Sequence, residues 1–219
     1  VAMMLQAFLD IPLPKSGEMD GEPERPLRVI ARQPVFLVAV LSGMIGYGTM
    51  SLLMTATPLA MVGYQHIFDD AAMVIQWHVV AMFLPSFFTG GLIARLGVLR
   101  VIMAGVVLNL GAVGLAATGV AVWNFWLALM LVGVGWNFMF IGGSSLLTTT
   151  YHPSERAKVQ ATNDFLVFGT VATASLSSGH LLYTFGWQSV LMTALPALVL
   201  ALTAVAWLGL RSRRVLAEA

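Results

Sequence analysis

Cysteine is absent from the 219 residues, which excludes disulfide frameworks, thiolate metal sites and thiol nucleophiles. Charge is scarce: 10% of residues are Asp, Glu, Lys or Arg, against about 25% in an average soluble domain. The net charge is +1, so no basic field points to nucleic acid as a partner. No His, Asp and Glu cluster has metal-ligand spacing and no phosphate-cradling glycine loop occurs, so neither a metal nor a cofactor is expected. What fills the space is apolar. Hydrophobic residues make up 58% of the chain and mean hydropathy is +0.86. A core for a chain of this size does not need that much apolar surface, and water would not tolerate the excess, so a soluble globular domain is excluded.

A bilayer core is about 30 Å thick, so a spanning helix needs about 20 apolar residues. Six stretches qualify: Val35–Val62, Ala71–Ala94, Leu99–Thr118, Val122–Thr149, Lys158–Phe185 and Gln188–Leu210. Alternation of polar and apolar residues in ten-residue blocks, the barrel pattern, does not occur, so the expected class is an all-α membrane protein. Residues 1–10, VAMMLQAFLD, are apolar but too short to span and are expected to be the tail of a preceding transmembrane helix. Residues 11–34 are rich in proline and charge and are expected to be a solvated cytoplasmic linker. Residues 35–210 form the expected six-helix domain, and 211–219 a basic cytoplasmic tail.

Orientation follows from the basic residues. Lys15, Arg25, Arg28 and Arg32 precede span one; Arg95 and Arg100 flank the turn between spans two and three; Arg156 and Lys158 lie between four and five; Arg211, Arg213 and Arg214 follow six. All of them fall on one side, which the positive-inside rule makes the cytoplasm, and the other side holds only Asp69 and Asp70.

A shift of 89 residues lays the chain on itself. Ser86-x-x-Thr89-Gly90-x-Leu92-Ile93-x-x-Leu96-Gly97 falls on Ser175-x-x-Ser178-Gly179-x-Leu181-Leu182-x-x-Phe185-Gly186, and Gly46-Tyr47-x-x-Met50 on Gly135-Trp136-x-x-Met139. Spans one to three therefore read as a copy of four to six. Three is odd, so the copies have opposite orientations in the membrane: a 3+3 inverted repeat, a device of secondary transporters.

Gly90-x-Leu92-x-Ala94-Arg95-x-Gly97-x-x-Arg100 resembles the signature loop of the major facilitator superfamily, with Ala94 at the acidic position and the later basic residue moved to Arg100. Pro153-x-Glu155-Arg156-Ala157 resembles the loop at the corresponding place in that family's second half, and Gly186-Trp187 is also common there. The resemblance covers nearly all of Arg32 to Arg214. It implies the C-terminal six-helix half of such a transporter, with a missing N-terminal half as partner, a small-molecule substrate, and a multi-pass place in a bacterial inner membrane. The phrases MTATPLAM and IQWH resemble a group of mostly uncharacterised bacterial permeases. Bacterial flavin importers are similar to that group, a likeness that carries no residue assignment.

Ionisable residues inside a span are costly, and His78, Asp164 and His180 are the three here. Asp164, near the cytoplasmic end of span five, is a candidate for proton coupling or for a cytoplasmic gate with Arg156 or Arg95; Arg100 flanks the same loop. His78 is a candidate for proton coupling near the outer end of span two, with a neutral histidine bonded between helices as the structural alternative. Asn137 and Ser144 lie on one face of span four, and Tyr47 and Ser51 on one face of span one. The resemblance places spans one and four around a central cavity, so Tyr47, Ser51, Trp136, Asn137 and Ser144 are expected to face substrate, with packing as the alternative. Pro58 and Pro85 are expected to kink or soften their spans. Gly169, Thr173 and Ser177 are expected to form a close-packing face.

Two other functions compete with a transporter half. A stand-alone six-helix protein that homodimerises is one. An intramembrane serine protease using Ser144 and His180 is the other, but those residues lie near opposite ends of their helices, roughly 20 Å apart in height. No catalytic set is expected. Nothing in the residues selects the substrate, and no nucleotide-binding sequence is present, so an ion or substrate gradient must supply the energy, with protons as the candidate ion.

Overall fold

The computed structural model of the chain describes residues 24–217. The expected helix tail at residues 1–10, the linker from 11 to 23, and the last two residues of the basic tail lie outside the described residues. The helices are α1 (Leu27–Ile30), α2 (Pro34–Gly63), α3 (Phe68–Phe83), α4 (Ser86–Leu96), α5 (Val98–Ala117), α6 (Val122–Leu147), α7 (Arg156–Phe185) and α8 (Trp187–Ala217). Five are long and apolar enough to cross a membrane, and α3 with α4 make a sixth span bent by 42°. The chain is an all-α membrane protein, and α2, α3–α4, α5, α6, α7 and α8 are spans one to six.

The two intramembrane prolines behave differently. Pro58 stays inside the continuous α2. Pro85 separates α3 from α4, so the segment expected to be one helix from Ala71 to Ala94 is two arms. Proline supplies no backbone donor to the turn before it, and a bend is one outcome. The last span also outruns its expected end at Leu210, because α8 continues as helix into the basic tail.

The linker expected to be solvated ends in packed structure. Ile30 is fully buried and Leu27 packs against the same core. An apolar pair at i and i+3 on one helical turn packs onto the bundle core, which favours docking over solvation.

Packing repeats with the sequence. The bundle is built on α2 and α6: α6 packs against α2, α3 and α5, while α2 packs against α7 and α8. The crossings α3–α6 and α5–α6 thus have counterparts in α7–α2 and α8–α2. The turns between the second and third helix of each copy share one backbone shape, because Gly97 has φ 88° and Gly186 φ 81°, values that L side chains rarely adopt. At the α3–α6 crossing, a Cβ on Gly133 would lie 2.8 Å from His78 O and 3.0 Å from Met82 N. Glycine is what lets these two backbones meet.

Candidate functional site

Five aromatic rings from four spans meet on one side of the bundle. Tyr47 of α2 sits edge-on to Trp136 and Phe140 of α6, with ring centroids 5.3 Å away in each case. Trp136 and Phe140, one helical turn apart, are stacked at 5.3 Å with an interplanar angle of 9°. Phe83 of α3 approaches Trp136 at 6.0 Å, and Phe168 of α7 approaches Tyr47 at 5.9 Å. These are the edge-to-face and stacked arrangements that the ring quadrupole favours. Trp136 is buried at the base, while Phe83 and Phe168 form an open rim at 56% and 54% exposure. Among the described residues the buried Trp136 indole N–H has no acceptor.

Polar groups tie the same helices together. Asn137, fully buried, donates from Nδ2 to Met82 O at 2.7 Å and to Ser86 Oγ at 2.6 Å. Thr89 Oγ1 lies 2.6 Å from Asn137 Oδ1. His78, also fully buried, has Nδ1 2.7 Å from Leu129 O. A carbonyl only accepts, so Nδ1 carries the proton and Nε2 is left without a partner among the described residues. Across α2 and α7, Ser178 Oγ donates to Leu52 O at 2.8 Å, and Ser51 Oγ to Val171 O at 3.4 Å.

At the end of the bundle that carries the α6–α7 loop, Glu155 is buried between α6 and α7 and grips the chain ahead of α1. Arg25 donates to it from its backbone N at 2.7 Å, from Nε at 3.0 Å and from Nη2 at 2.7 Å. The His152 backbone N–H adds a bond at 3.0 Å. Lys158 Nζ donates to Arg25 O at 2.7 Å and pairs with Glu24 at 3.0 Å.

No family model matches the chain. It is 47% identical over 178 residues to the riboflavin transporter RfnT of Brucella anthropi, a match covering 81% of this chain and 45% of that protein. It is 36% identical over 132 residues to the uncharacterized MFS-type transporter YddS of Bacillus subtilis, covering 59% of this chain and 30% of the relative. A second such transporter of that bacterium, YdeG, is 37% identical over 132 residues, covering 59% and 31%. The chain belongs to the major facilitator superfamily. It spans less than half the length of these curated relatives.

Within that superfamily fold, the residues singled out by sequence separate into groups. Tyr47 and Trp136 are in the aromatic cluster. Ser51 is buried and turned to α7, and Ser144 is exposed near the C-terminal end of α6. Asn137, expected to face substrate with packing as the alternative, is fully buried, and its amide donates to Met82 O and Ser86 Oγ across the bend of span two. The expected gate pairing of Asp164 is not made in this structure. Among the described residues no ion pair joins Asp164 to Arg156 or Arg95, and its carboxylate accepts only from Asn163 Nδ2, at 3.2 Å. Arg156 starts a helix that carries Asp164 two turns away, and Glu155 pairs with Arg25 instead. Arg95 and Arg100 are exposed at the α4–α5 turn, where Arg100 Nη1 donates to Leu96 O at 3.2 Å. His78 is bonded between helices rather than open to an entrance. Within this chain Gly169, Thr173 and Ser177, expected to form a close-packing face, line an open groove of about 600 Å³ between α2, α7 and α8, and a Cβ on Gly169 would meet nothing within 4 Å.

Phe83, Phe140 and Phe168 were not legible as site residues. Phe140 had a signal, its i+4 spacing from Trp136. Phe83 and Phe168 had none, since a phenylalanine in an apolar span reads as packing or lipid contact.

Proposed function

We propose that the chain is the C-terminal six-helix half of a secondary transporter, and that the whole protein moves a planar aromatic solute of the flavin class by alternating access. The observation that carries this reading is the ring of Tyr47, Phe83, Trp136, Phe140 and Phe168, drawn from four spans and open at Phe83 and Phe168. A tricyclic flavin ring offers two π faces to such rims, and stacking on an aromatic side chain is worth about 1–3 kcal/mol for a nucleobase-sized ring. The ring's carbonyls are acceptors of the kind the buried Trp136 N–H lacks. The similarity to a riboflavin transporter supports the same solute class. The activity is transport and not catalysis.

The partner half is supported by α7. It is the least apolar of the long spans, and only Val159, Asn163, Val167 and Ser178 along it are buried. It exposes Asp164, Thr173 and His180, with Ser177 half-buried beside them. Lipid penalises such a face, so a second six-helix half covers it. An ion or solute gradient drives the cycle.

Uptake of labelled riboflavin by cells or vesicles carrying the full-length protein tests the substrate. Accumulation that unlabelled riboflavin and its analogues compete away is expected. A full-length protein that neither binds nor accumulates riboflavin would overturn the assignment. Orientation is tested separately. With the basic loops in the cytoplasm, a cysteine placed at Asp70 reacts with an impermeant thiol reagent from outside, and one at Arg211 does not. The reverse pattern would invert the topology.

A further inference from the structure

The bend in span two has a dedicated partner. Pro85 brings no N–H, so the helical ladder fails there and resumes at Ser86 after a 42° turn. Asn137 reaches across from α6 and grips both arms: Met82 O on the outer arm, and Ser86 Oγ and Thr89 Oγ1 on the inner one. Thr89 Oγ1 also lies 2.8 Å from Pro85 O, so its single proton is shared across the break. Met82, Thr89 and Asn137 are buried while Ser86 is exposed. The helical donor for Met82 O would be the Ser86 N–H, at the first residue of the second arm, and in a span, where an unmet carbonyl is costly, the Asn137 amide donates to it.

The internal repeat supplies a control within the molecule. Under the shift of 89, Met82 corresponds to Val171, Pro85 to Ala174, Ser86 to Ser175, Thr89 to Ser178, and Asn137 to Gly48. The equivalent positions also meet in the α2–α7 crossing. Val171 O accepts from Ser51 at 3.4 Å, Ser175 Oγ lies 3.5 Å from Thr55 Oγ1, and Ser178 bonds Leu52 O. There the helix is unbroken over 30 residues and no amide takes part. Crossing adhesion alone therefore needs neither a proline nor an asparagine. Their joint presence in one copy marks a different job.

We infer that Asn137 is the pin of a hinge in span two, a positioning residue about which α4 swings relative to α3. The pin adjoins the aromatic site on both helices, since Phe83 follows Met82 and Trp136 precedes Asn137. The swinging arm ends at the cytoplasmic turn around Gly97. Eleven residues of α4 make a lever of about 16 Å, so a 10° swing moves its tip by about 3 Å. Solute contact at Phe83 and Trp136 thereby biases the cytoplasmic end of the span.

This inference rests on the transport reading, and its test separates the two. The full-length transporter is assayed with riboflavin as probe in three forms: Asn137→Leu, Pro85→Ala and, as the repeat-equivalent control, Ser175→Ala. Asn137→Leu is expected to leave riboflavin affinity within about threefold and to slow exchange at saturation at least tenfold. Pro85→Ala, which restores the missing N–H, is expected to slow exchange as well. Ser175→Ala is expected to change neither by more than about twofold. Hydrogen exchange of the amides from Phe83 to Thr89 supplies a readout without solute. It accelerates at least tenfold in Asn137→Leu and slows in Pro85→Ala, while residues 171–178 stay unchanged. A wild-type protein that ignores riboflavin defeats the substrate assignment, and the hinge is then decided by the two opposite exchange shifts. If Asn137→Leu does not accumulate, Pro85→Ala decides. Unchanged hydrogen exchange in the variants, or equal slowing of transport by Ser175→Ala, overturns the hinge.

Discussion

Replacing Phe83 and Phe168 together by alanine is expected to weaken riboflavin binding to the full-length transporter by about a hundredfold or more. Each ring offers one π face, at about 1–3 kcal/mol per stacked ring, and 1.4 kcal/mol is a factor of ten in affinity. Both rings are more than half exposed, so their loss removes little packing and the protein still folds. Trp136→Ala is the less informative change. It would also empty the base of the cluster, where Trp136 stacks on Phe140, at a cost of about 3–5 kcal/mol in stability. Trp136→Phe keeps most of that packing while deleting the unpaired N–H, and isolates the contribution of the donor. Fluorescence titration of riboflavin measures all three variants. Double-variant affinity within threefold of the parent would remove the aromatic cluster from the binding site.

Arg25→Ala is expected to give the largest loss of stability among surface-loop changes, about 3 kcal/mol, or roughly 10 °C in the melting temperature of a chain this long. The reason is an asymmetry in the pair. The Glu155 side chain is fully buried, whereas that of Arg25 is 34% exposed. Removing the arginine strands a carboxylate away from water. Removing the carboxylate, in Glu155→Ala, leaves a guanidinium that water reaches. Glu155→Ala is therefore expected to cost less than Arg25→Ala, and the double variant less than the sum of the two. Thermal unfolding of the purified protein in detergent measures the order. An Arg25→Ala shift below 2 °C, or a larger shift for Glu155→Ala, would show that the clasp does not hold the loop between α6 and α7 to the chain ahead of α1.

How much could be read in advance differs from one feature to the next. The six spans were legible because uninterrupted apolar length is a property of the chain alone. The repeat was legible for the same reason, and the matched φ values of Gly97 and Gly186 give it a backbone form. Pro85 announced a bend, but Pro58 carried the same signal and lies in an unbroken helix. Tyr47 and Trp136 stood out as large side chains at repeat-equivalent positions. Phe83 and Phe168 did not, because an apolar ring on a membrane helix looks the same whether it faces lipid, a neighbour or a solute.

Asn137 shows where linear information ends. Its depth in the span marked it as a polar group that must face something other than lipid. Whether that something was a cavity or a backbone carbonyl depended on which residue of another span stood opposite, and Met82 is 55 positions away. The same holds for Arg25 and Glu155, 130 positions apart, and for Asp164, whose expected arginine partners the fold turns elsewhere. Length, hydropathy, basic-residue placement and internal periodicity are additive along a chain, so the sequence by itself determined the spans, their alternation and the inverted repeat. Partner choice among buried polar groups and aromatic rings is not additive. It is set by helix rotation and crossing geometry, to which packing at glycines such as Gly133 contributes, and only the tertiary structure decided it.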